Sequence, residues 1–134
     1  MTYATQPDLE TRFGAAELLQ LADRDGDGLA DPGVVAGALA EAAAEIDAYL
    51  VGRYALPLAS TPPVLVRLAC DLARYRLMAD NPLEEARKRY EDARRLLEAL
   101  AAGRVALGPP AAAPPTGGVA VSAPVVVFSG SEGF

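Results

Sequence analysis

Apolar residues recur at steps of three and four in several stretches of the chain, and proline, glycine and aspartate interrupt the pattern between them. The firmest stretch places Val35, Leu39, Ala42, Ile46, Tyr49 and Leu50 on one side of a helix that begins near Asp31 or Pro32 and runs to about Arg53. Prolines 57, 62 and 63 break it, because each removes a backbone donor and pushes its predecessor out of the helical region. Thr61 can cap a following helix over Pro63 to about Ala79, with Leu65, Leu68, Ala69, Leu72 and Tyr75 or Arg76 as its apolar face. Two helices joined in this way should pack together.

The flanks follow the same logic. Residues 1 to 22 read as a first helical segment, with Thr5 as N-cap, Pro7 in the first turn, and Leu9, Phe13, Leu18 and Leu19 apolar; Gly14 should kink or interrupt it. Asn81, Pro82 and Glu84 predict a last helix by their capping order. Its buried side would carry Leu83, Ala86, Tyr90, Ala93, Leu97 and Leu100. Its wet side would pair Glu84 with Lys88, Glu85 with Arg89 and Glu91 with Arg95, and Gly103 would end it. The expected fold is all-α, a small bundle of about four helices with an acidic loop after the first and an extended C-terminal arm.

Three regions follow from this pattern: a helical domain over 1–107, a proline- and glycine-rich linker over 108–118, and a β-prone arm over 119–134. In the arm, Val119, Val121, Val125, Val126, Val127 and Phe128 are apolar, yet a lone strand cannot stabilise itself. It either adds to a sheet edge on another subunit or partner, or stays a loose tail.

Composition narrows the function. At 134 residues there is room for one domain and an appendage, and alanine supplies much of the apolar content. Histidine is absent, which excludes imidazole catalysis and imidazole-ligated metal. Cys70 is the only cysteine, so no internal disulfide can form; its apolar neighbours suit a buried structural thiol. No apolar run approaches a membrane span, and the N-terminus lacks signal-peptide order, so a soluble protein made in the cytoplasm is expected. A net charge of −6 argues against wrapping nucleic acid and suits a surface past which DNA slides.

Two constellations carry candidate chemistry. Asp23, Asp25, Asp27, Gly28, Leu29 and Asp31 follow the EF-hand order of calcium ligands, with Leu29 offering its carbonyl. Val34 stands where the bidentate glutamate belongs, so a calcium site here would be weak. The alternative is an Asp/Gly turn whose acids cap the next helix. On the third helix Arg67, Asp71 and Arg74 share a side near Tyr75, as an ion-pair face or as an inter-subunit contact; Arg53 and Tyr54 read the same way. No phosphate loop, catalytic carboxylate pair or serine-base arrangement is visible, so the chain is expected not to be an enzyme and to require no cofactor, calcium being the one candidate.

One long stretch also carries a resemblance. The run Glu45-Ile-Asp-Ala-Tyr-Leu-Val-Gly-Arg-Tyr, then Leu56-Pro-Leu, Pro62-Pro63 and Val66-Arg-Leu-Ala-Cys-Asp-Leu-Ala-Arg-Tyr, resembles the head-tail adaptor family of Mu-like phages and prophages. The start Tyr3-Ala-Thr and the Asp23-Arg-Asp-Gly-Asp-Gly loop fit as well, and the resemblance extends over about residues 1 to 108. It implies a structural connector in the virion neck. Twelve copies would form a ring between the portal protein and a tail-side stopper or terminator, with a channel that DNA traverses without sequence-specific binding. The competing expectations are a small soluble calcium-binding helix-loop-helix module and a stopper or tail-terminator ring protein.

Overall fold

A computed structural model describes residues 2–78 and 81–107, and among these the regular secondary structure is entirely helical. The linker and the segment with Val119, Val121, Val125, Val126, Val127 and Phe128 lie outside the described residues.

Five helices follow in order: α1 (Gln6–Phe13), α2 (Ala15–Ala22), α3 (Pro32–Leu50), α4 (Pro63–Leu77) and α5 (Glu84–Ala101). Thr5 starts α1 through a capping box, its hydroxyl accepting from the Asp8 N–H at 3.4 Å while the Asp8 carboxylate accepts from the Thr5 N–H at 2.9 Å. Gly14 then divides the N-terminal segment in two: its φ of +94° is open to glycine and strained for any other residue. The expected interruption is therefore a full break, and five helices replace about four.

Sequence reasoning placed several helix ends imperfectly. α3 stops at Leu50 rather than near Arg53, and residues 51–54 wind into turns in which the N–H groups of Arg53 and Tyr54 both donate to the Leu50 carbonyl at 2.9 Å. The residue preceding α4 is Pro62, with no side-chain cap, so Thr61 does not serve as one. α5 starts at Glu84 after Leu83, also without a side-chain cap. Asn81 instead donates its N–H to the Met78 carbonyl at 2.8 Å, and Leu83, expected in the core, is 54% exposed. A turn closing α4 has taken the residues that could have capped α5. At the far end Gly103 behaves as predicted: with φ +79° it donates to Leu100, while Arg104 donates to Ala99 at 2.9 Å, the paired bonds of a Schellman ending.

α4 lies at the centre, packed against α3, α5 and α1, while α2 bridges α1 to α3. The core joins Leu9 of α1, Val35, Ile46 and Leu50 of α3, Leu65, Leu68 and Leu72 of α4, and Leu97 and Leu100 of α5, all essentially without exposure. Each such side chain contributes about 2 kcal/mol of transfer free energy. Alanines 42, 43, 69, 73 and 93 are buried among them, which lets the helices approach closely. Because neighbours surround α4, two of its charged residues are enclosed too: Asp71 and Arg74 are only 6% and 5% exposed.

Candidate functional site

Two places concentrate charge, and they are built differently. The first is the loop between α2 and α3. Ala22 ends α2, and the Asp31 N–H returns to the Ala22 carbonyl at 2.9 Å, closing residues 23–31 into a ring. Inside it Asp23 accepts from three backbone N–H groups: Gly26 at 2.9 Å, Asp27 at 3.1 Å and Gly28 at 3.0 Å. Asp25 accepts from Asp27, Asp27 from Leu29, and Asp31 from Arg24. Gly26 and Gly28, at φ of +77° and +83°, make the tight path possible.

These bonds gather four carboxylates, with one oxygen from each of Asp23, Asp25, Asp27 and Asp31 within 4.8 Å of the others. Such hard oxygens, with the Leu29 carbonyl, could hold a hard cation such as calcium. Val34 is half-buried against the core, and its apolar side chain offers the loop no ligand. Asp31 sits as N-cap of α3 but makes no side-chain capping bond, its carboxylate being used by Arg24, so the helix-capping alternative is not what organises it. The electrostatics divide the ring. At Asp23 desolvation pushes the carboxyl up, but the N–H bonds from Gly28, Gly26 and Asp27 together with Asp25 outweigh it and hold the group below its usual value. At Asp25 the Asp27 N–H pulls down, and desolvation with the neighbouring carboxylates of Asp23, Asp27 and Asp31 prevails, raising it.

The second place is the waist of the bundle around α4. Arg74 donates to Glu17 of α2 from Nε at 2.7 Å and from Nη2 at 3.0 Å, and Nη2 also reaches Glu85 of α5 at 3.3 Å. Its guanidinium carbon lies 4.4 Å from the centre of the Phe13 ring, a cation–π contact from α1. One arginine thus ties four helices together. Arg76 makes a second bridge, donating to Glu45 of α3 at 2.7 Å and to Glu41 at 3.3 Å. Asp71 faces Arg89 of α5 at 3.8 Å; burial pushes its carboxyl up, and the guanidiniums of Arg89, Arg67, Arg12 and Arg74 only partly offset this.

The expected interface set therefore separates. Asp71 and Arg74 are enclosed by intramolecular partners and offer no surface to a neighbour. Tyr75 is half-buried and stacked on Tyr90 with centroids 4.1 Å apart. Tyr54 is half-buried, its hydroxyl accepting from the Leu107 N–H at 3.4 Å. Arg53 and Arg67 are exposed, and Arg53 lays its guanidinium against Gly103. Cys70 is fully buried, and burial pushes its thiol up to about 11, so it is held as a neutral thiol.

Sequence reasoning missed the acids that complete the waist. Glu17 is 57 residues from Arg74, and no local spacing links them. It also missed the hydrogen bond that buried Tyr3 donates to Asp47, 44 residues away, which docks the N-terminus on α3. Burial, the hydrogen bond and the Asp47 charge all raise the Tyr3 phenol, so it remains protonated. On α5, Glu85 pairs with Arg89 as expected, but Arg87 takes both Glu84 and Glu91, and Arg95 turns to Asp92.

Comparison with known proteins connects this architecture to phages. The Mu-like prophage FluMu protein gp36 of Haemophilus influenzae is 41% identical over 106 residues, covering 79% of this chain and 75% of that protein. Gene product J of Escherichia phage Mu is 37% identical over 105 residues, covering 78% of this chain and 74% of its own length. The family described as Bacteriophage Mu, Gp36 matches residues 3–123, beyond residue 108 where the resemblance read from the sequence stops. Among the described residues no helix is long and apolar enough to cross a membrane. With a match across most of its length, the chain belongs to the bacteriophage Mu Gp36 family.

Proposed function

We propose that this phage protein is a head-tail adaptor, a structural subunit that forms a ring between the portal and the tail or stopper and leaves a channel for DNA. The observation that carries the reading is a family match of 3–123 falling on a bundle braced for rigidity. Its enclosed Arg74 and half-buried Arg76 are tied across α2, α3, α4 and α5. Charges paired in this way hold helices in register and are not poised for proton transfer. Its net charge of −6 keeps a channel wall from retaining DNA. On this reading the protein acts mechanically, is not an enzyme, resides in the virion neck and needs no cofactor, with calcium confined to a stabilising role in the loop.

Quantitative mass spectrometry of gradient-purified particles tests the proposal. An abundance near that of the portal protein and far below that of the major capsid protein is expected. Absence from finished particles would overturn it.

A further inference from the structure

The two ends of the bundle differ in charge, and three of the large apolar side chains left in solvent, Leu29, Val51 and Val105, sit at those ends. α3 spans 19 residues, so its ends are about 28 Å apart. At its start is the loop with Asp23, Asp25, Asp27 and Asp31, and with Leu29, whose side chain is 68% exposed. From its last turn the chain runs through residues 48–70, which contain no acid; residues 99–107, the end of α5 and the stretch beyond it, contain none either. Arg53 against Gly103 and Tyr54 against Leu107 bring those two stretches together. The surface they form carries Arg53 and Arg104 in solvent, with Val51 67% and Val105 42% exposed. Along the chain the flanking acids are Glu98, more than a turn back along α5, and Asp47, one turn before Val51 on α3 and engaged by Tyr3.

We propose that the Val51, Arg53, Arg104 and Val105 end is a docking surface for a second copy of this chain, and that it receives that copy's Asp23–Asp31 loop with Leu29 at the contact. A protein of net charge −6 has little reason to collect exposed arginines and valines on two stretches without an acid unless an acidic, partly apolar surface meets them. This chain carries such a surface at its opposite end. The contact is heterologous, joining unlike patches, so each copy keeps one free patch after pairing and the series closes into a ring when the rotation per copy allows. The inference rests on the proposed ring and specifies which surfaces form it.

The test uses the full chain and charge reversal at each end, in Arg53→Glu/Arg104→Glu and in Asp25→Lys/Asp27→Lys. Analytical ultracentrifugation of the wild type should show association that weakens with added salt. Each variant alone should associate roughly a hundredfold more weakly, because like charges then face each other. An equimolar mixture should regain association, since reversed ends attract. Circular dichroism melts confirm folding, and Arg53→Gln/Arg104→Gln replaces the first variant if it melts early, with a weaker but parallel loss. Variants that associate as the wild type does, or a mixture that shows no recovery, would overturn this contact and leave the ring intact. A wild type that is monomeric at every concentration and salt would overturn the ring reading itself.

Discussion

The waist at Arg74 and the loop at Asp23 each crowd charge into a small volume, and they neutralise it in opposite ways. At the waist, opposite charges from separate helices meet: enclosed Arg74 with Glu17 and with the more exposed Glu85, half-buried Arg76 with Glu45 and with exposed Glu41. In the loop, like charges stand in solvent, and the backbone of the same segment satisfies them. The consequence is a division of labour. Removing Glu17 would leave the enclosed Arg74 short of its main partner, and removing Arg74 would strand the half-buried Glu17, so this pair belongs to the fold. Loop charges are answered within nine residues of chain, from Asp23 to Asp31, so they can be altered with the bundle intact and are free to serve binding.

The largest effect that would break this contrast is at Arg74. Arg74→Ala should cost about 3 kcal/mol, since it strands Glu17 and empties the space over Phe13. That corresponds to a fall in melting temperature of roughly 12–24 °C, read by calorimetry. A fall no larger than that of a surface arginine would erase the distinction. Tyr3→Phe should come next, at about 1 kcal/mol, by removing the hydroxyl that Asp47 accepts from. Its signature is earlier loss of the N-terminal segment, followed by hydrogen exchange.

The pH response sharpens the same point. The hydrogen bond and charge of Arg74, then Arg89, hold the Glu85 carboxyl below its ordinary value of 4.5. A carboxylate depressed in the folded state contributes stability that is complete above its unfolded value and is lost as pH falls through the folded one. The acid limb of the wild-type stability curve below pH 4.5 should therefore be steeper than that of Arg74→Ala. Parallel limbs would mean that Glu85 is not coupled to the waist.

The loop predicts a ligand effect with little change in the fold. Calcium should raise the wild-type melting temperature by mass action, and Asp23→Ala/Asp25→Ala should lose that rise while keeping its calcium-free helicity. A wild type indifferent to calcium would assign the loop's order to its backbone alone. Smallest of all, Arg87→Ala should leave the melting temperature within error, because its pairs with Glu84 and Glu91 lie on the solvent face of α5.

Much of this was legible along the chain. The buried faces of α3 and α4 follow from apolar spacing, the break at Gly14 from the residue's own freedom, and the ring of aspartates from a motif whose partners lie within nine positions. The start of α5 was misjudged because Asn81, Pro82 and Glu84 have the form of a cap, while the turn after α4 competes for the same residues.

What the sequence determined by itself is what neighbours along the chain decide: helices, their apolar sides, their glycine endings and the self-satisfied loop. All of these rest on interactions within a few residues, where spacing and geometry are nearly the same thing. Only the tertiary structure decided that Arg74 would find Glu17, that Asp71 would be enclosed, that Tyr3 would reach Asp47, and that two acid-free stretches would share one end of the bundle. Those residues are far apart in sequence, and burial between packed helices leaves each of them few partners within reach.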